Sequence, residues 1–127
     1  MRARILYVSY DDKMLIARRA LLEQQGYLVS SALGFREAMA ACSEGNFNLF
    51  VLGHSIPYQD KERLIAVFRN NSGAPILSLW RQHERVLDTV NYVAFSDDSS
   101  VLLKNIATIL SINAARTNMQ AETKSSA

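Results

Sequence analysis

At 127 residues, 49% of them hydrophobic and 20% charged, the chain has the size and make-up of one compact globular domain, which excludes a large multidomain enzyme. Fourteen Lys+Arg against twelve Asp+Glu leave a formal net charge of only +2, too weak a basic field for a nucleic-acid binder. The longest unbroken apolar runs, Ala38 to Cys42 and Leu64 to Phe68, are far shorter than the roughly 20 residues of a membrane-spanning helix.

Ile5 to Val8 is apolar at every position, the pattern of a strand covered on both faces. Asp11 or Asp12 can cap the helix that follows, Met14, Leu15, Leu21 and Leu22 mark its apolar face, and Gly26 stands where it must end. Tyr27 to Val29 reads as a second strand, and Phe35, Ala38, Met39 and Cys42 as the stripe of a second helix. Leu49 to Leu52 is a third strand, Leu64, Ile65 and Phe68 lie on a third helix, and Ile76 to Leu79 is a fourth strand. Arg81 to Val90 offers only Val86, Leu87 and Val90, enough for about two turns. Tyr92 to Phe95 is a fifth strand. Asp97, Asp98 or Ser99 can cap a last helix striped by Leu102, Leu103, Ile106, Ile109 and Leu110. Residues 114–127 are too polar to order themselves and are expected to form a frayed or disordered tail behind a single domain, 1–113. Strands alternating with helices at this spacing need right-handed crossovers, which put helices on both faces of a parallel sheet. The predicted architecture is a five-stranded α/β sandwich.

Over about residues 3 to 112 this layout resembles a response-regulator receiver domain, the module that accepts a phosphoryl group in two-component signalling. The residues that carry the resemblance are Ile5-Leu6-Tyr7-Val8, the stretch from Leu21 to Tyr27, Asn48 to Leu52, Ile56-Pro57 and Ala74-Pro75-Ile76, with gapless spacing from the first strand through Pro57. It implies a flavodoxin-like, doubly wound parallel sheet in a three-layer α/β/α sandwich.

The resemblance also says where the family keeps its chemistry, and each of those positions is changed. The acidic pair that holds magnesium after the first strand corresponds to Ser9 and Tyr10, which supply neither carboxylate. The phosphoacceptor aspartate ending the third strand corresponds to Gly53, which has no side chain to form an acyl phosphate. The hydroxyl residue ending the fourth strand corresponds to Trp80, the lysine ending the fifth to Phe95, and the proline after it to Ser96. No magnesium or other cofactor is therefore expected. The Trp80 or Phe95 ring is expected to fill the space over Gly53, since an empty apolar cavity destabilises a fold. Tyr92 stands where the family often keeps an aromatic switch residue.

Asp11 and Asp12 would become the acidic pair only in a register that breaks the spacing to Gly26, so capping and solvation are their readings here. His54 is the one side chain near Gly53 that titrates close to neutral pH; a phosphohistidine, or a metal site with Asp11 or Asp12, is its chemical alternative to ordinary solvation. Ser55 reads as a turn residue, Cys42 as a small core residue, and Arg18 and Arg19, with Arg2 and Arg4, as a solvated basic face. The five glycines form no phosphate-binding pattern.

These readings predict a pseudo-receiver: not an enzyme, but a free-standing protein-interaction module of bacterial two-component or phosphorelay signalling that cannot be phosphorylated by the family's usual route. A kinase, a regulator or a second copy would engage it through about residues 82 to 112, giving a possible homodimer, with no nucleic-acid or membrane partner. The alternative is a small-ligand sensor using an aromatic pocket around Gly53. The lone cysteine and the lack of a signal-peptide pattern at the start predict a cytoplasmic location.

Overall fold

A computed structural model describes residues 2–79, 90–94 and 98–125, with 116–125 described through their backbone alone. The elements run β1 (Arg4–Ser9), α1 (Asp12–Gln24), β2 (Leu28–Leu33), α2 (Gly34–Cys42), β3 (Leu49–Leu52), α3 (Tyr58–Asn71), β4 (Ile76–Leu79), β5 (Tyr92–Ala94) and α4 (Ser99–Ser125). All strand pairs are parallel, in the order β2-β1-β3-β4-β5. This is the flavodoxin-like doubly wound sheet, in which the chain leaves β1 in opposite directions toward β2 and β3.

The pleat of β1 divides the core. Leu6 and Val8 face a cluster with Phe50, Leu52, Ala38, Cys42, Leu64 and Phe68, so α2 and α3 cover that side. Ile5 and Tyr7 face Leu15, Leu22, Val51, Leu77, Leu102 and Ile106, so α1 and α4 cover the other. Strands buried on both faces must be apolar throughout, which is why β1, β3 and β4 are legible in the sequence. Phe50 and Phe68 meet with ring centroids 4.7 Å apart, joining the sheet to α3.

Helix boundaries follow local chemistry. Asp11 caps α1, accepting from the backbone N–H of Lys13 and Met14, and Gly26 ends it at φ +91, a left-handed conformation that costs glycine little. Asp98 accepts from the N–H and hydroxyl of Ser100 at the start of α4.

Three sequence readings are corrected. β2 extends to Leu33, beyond the expected Val29, because an edge strand tolerates Ser30 and Ser31, which a search for continuous apolar runs passes over. The helix α4 continues to Ser125 through the segment expected to fray; Ala, Arg, Met, Gln, Glu and Lys are strong helix formers and no Gly or Pro interrupts them. Arg18 is buried, not solvated, and its charge acts on Tyr7 and Asp98. The weak helix expected over Arg81 to Val90 lies, except for Val90, outside the described residues. No described helix is long and apolar enough to cross a membrane.

Candidate functional site at the carboxyl ends of β1, β3 and β4

In a doubly wound sheet, the crevice forms beyond the carboxyl ends of the strands where the winding reverses, here between β1 and β3. Ser9 is the buried last residue of β1. Its hydroxyl lies 3.2 Å from that of Ser55 and accepts from the Asp11 N–H at 3.1 Å. Ser55 Oγ in turn accepts from the Tyr10 N–H at 2.9 Å. The Tyr10 phenol reaches over to α3 and donates to Asp60 Oδ2 at 2.7 Å. Burial, followed by the hydrogen bond to Asp60 and its negative charge, raises the Tyr10 pKa and keeps the proton on the phenol.

Asp11 and Asp12 point their oxygens at the first turn of α1, where both bond the Lys13 N–H. Among the described residues no three His, Cys, Asp or Glu side chains gather as a metal site. A set of two serine hydroxyls and a phenol already bound to a carboxylate does not fit magnesium, which seeks carboxylate oxygens in an octahedral shell.

Gly53 lies tight against β1. Its N–H donates to Val8 O at 2.8 Å, and an added Cβ would sit 2.8 Å from that same carbonyl oxygen. Real Cβ atoms essentially never come so close, and the obstacle is the backbone of β1, so any side chain here requires that backbone to shift. Beside it, His54 is half-buried with Nδ1 sheltered from solvent and without a hydrogen-bond partner.

Lys61 went unnoticed in the sequence. It is fully buried, and its Nζ donates to the carbonyl oxygen of Leu79, the last residue of β4, at 2.9 Å. A buried ammonium is costly without polar partners, so this contact pins the start of α3 to the tip of β4. The signal was present: Lys61 lies three and four residues before Leu64 and Ile65, on the extrapolated buried stripe. A cation thus stands at this end of the sheet, on α3. Ser55 lies in the turn the sequence suggests, but its bond to Tyr10, like that of Asp60, is not legible there, because the partners lie more than 40 residues away in the chain.

Trp80, Phe95 and Ser96 lie outside the described residues, and with them the expected filling of the space over Gly53. Tyr92 opens β5 opposite Leu77 and is half-buried against the core shared with α1 and α4.

No protein-family model and no curated protein matches the chain. Solved structures do. A CheY-like response-regulator receiver domain protein from Methanospirillum hungatei is 20% identical, covering 91% of this chain and 99% of its own, with a TM-score of 0.77. An adenylate cyclase structure from Rhodopirellula baltica is 17% identical over 98% of both chains, with a TM-score of 0.79. The response regulator TrrA from Thermotoga maritima, solved in complex with Mg(2+)-BeF, is 23% identical over 86% of this chain and 99% of its own, with a TM-score of 0.70. The chain has the fold of CheY-like receiver domains.

Proposed function

We propose that the chain is a receiver-type interaction module of two-component signal transduction that takes no phosphoryl group at the β3 tip, and that its output is binding, not catalysis. The observation that carries this reading is the Gly53 contact: the acceptor position holds no carboxylate, and the Val8 carbonyl occupies the space its Cβ would need. Ser9 and Tyr10 add support, being engaged with Ser55 and Asp60 where a magnesium ligand pair would have to be open. The partner, a kinase, a regulator or a second copy, engages the surface from about residue 82 to 112, in a cytoplasmic setting.

Incubation with acetyl phosphate and magnesium, followed by intact-mass measurement, tests it. The expected result is an unchanged mass. A hydroxylamine-sensitive adduct of one phosphoryl group would overturn the reading.

A further inference from the structure

At the opposite end of the sheet, around the amino-terminal residues of β1 and β3, a cleft of about 550 Å³ opens. Its polar lining is Arg2, Arg4, Asn46, Asn48, Ser72 and Asn113, and it contains no Asp or Glu. In a chain with twelve carboxylates this is a strongly one-signed environment. Among the described residues, neither Arg2 nor Arg4 is paired with an acid; the one ion pair along this edge is Arg19 with Glu23.

The cleft is held in shape by contacts among its own residues. The Arg4 N–H donates to Asn48 Oδ1 at 2.8 Å and the Asn48 N–H donates to Arg4 O at 2.7 Å, a reciprocal pair that fixes both residues. The Arg4 guanidinium stacks over the Phe47 ring, 5.2 Å from its centroid, which restrains the fork while leaving its N–H groups able to donate. Asn46 holds a left-handed φ of 66, so the turn presenting these side chains has a defined shape. Leu110 and Ala114 of α4 supply an apolar part of the lining.

Two unpaired guanidinium groups match a phosphate dianion, the apolar part of the lining matches a planar or aliphatic body, and the volume lies within the range of small-molecule sites. We propose that this cleft binds a small phosphorylated molecule of nucleotide size. The site is at the far end of the strands from Gly53 and is independent of the reading given above.

The full chain, isotope-labelled, is titrated with AMP, inorganic phosphate and adenosine while amide shifts are followed by NMR. AMP is expected to saturate with a Kd of about 10 to 1000 µM, shifting residues 2–4, 46–48 and 110–114, with phosphate weaker and adenosine weaker still. Arg2→Gln and Arg4→Gln are each expected to weaken AMP about tenfold, whereas Arg63→Gln on the exposed face of α3, an equal charge loss elsewhere, should change it less than about twofold. Arg2 is exposed and its variant should fold even if Arg4→Gln does not. The proposal is overturned if AMP gives no saturable shifts by about 10 mM, if they fall around Ser9 and Gly53, if phosphate binds as tightly as AMP, or if Arg2→Gln binds like wild type.

Discussion

The ammonium of Lys61 and the carbonyl oxygen of Leu79, 2.9 Å apart and shielded from water, tie the first turn of α3 to the tip of β4. Lys61→Met keeps most of the aliphatic stem and removes the charge. That relieves the buried charge but leaves the Leu79 carbonyl without this donor, so a modest loss of about 1 to 3 kcal/mol is expected. The emission of the only tryptophan, Trp80, directly after Leu79, should also shift because the carbonyl is released. Lys61→Glu sets a carboxylate against a carbonyl oxygen and should cost about 3 kcal/mol or more by urea unfolding.

Placing a carboxylate at Gly53 should not create a phosphoacceptor. Gly53→Ala already places a methyl group 2.8 Å from Val8 O, and overpacking of this kind costs about 1 to 3 kcal/mol. Gly53→Asp adds a buried carboxylate, so a larger drop in melting temperature is expected, together with no mass increase on treatment with acetyl phosphate and magnesium. A phosphorylated Gly53→Asp protein of wild-type stability would contradict the assigned contact.

The Tyr10 to Asp60 hydrogen bond is a second latch onto α3, and a double-mutant cycle measures it. Tyr10→Phe and Asp60→Asn should each destabilise, with a coupling energy of about 1 kcal/mol, at the lower end for a bond to a charged group because both side chains are only half-buried.

Alkaline solution should unfold the protein earlier than its charge alone suggests. Burial pushes the Cys42 thiol from 9.0 up to about 12, and burial likewise pushes the Tyr7 phenol from 10.0 to about 12, partly offset by Arg18. Both raised groups hold their protons longer in the folded than in the unfolded chain. Stability is therefore complete below about pH 9 and falls as pH rises toward 12. The urea midpoint should decline across that window, Cys42→Ala should flatten the part that starts near pH 9, and the thiol should resist Ellman's reagent at pH 8 until the protein unfolds.

What was readable in the sequence tracks burial on two faces. β3 and β4 coincide with their apolar runs, and β1 exceeds its run by one residue at either end, because a strand covered by helices on both sides admits almost nothing else. β2 was shortened in the sequence reading because its edge position frees Ser30 and Ser31 from that constraint.

That Ser9, Tyr10 and Gly53 carry no carboxylate is a matter of which residue stands where, and is read from the sequence alone. The contacts around them are not. Ser55 meeting Tyr10, Asp60 meeting the Tyr10 phenol, Lys61 reaching Leu79 and the Val8 carbonyl closing on Gly53 all join segments that only the sheet order brings together. Periodicity along the chain reports which face of an element is buried; the partner a polar side chain finds there depends on neighbours tens of residues away, so that part was decided by the tertiary structure.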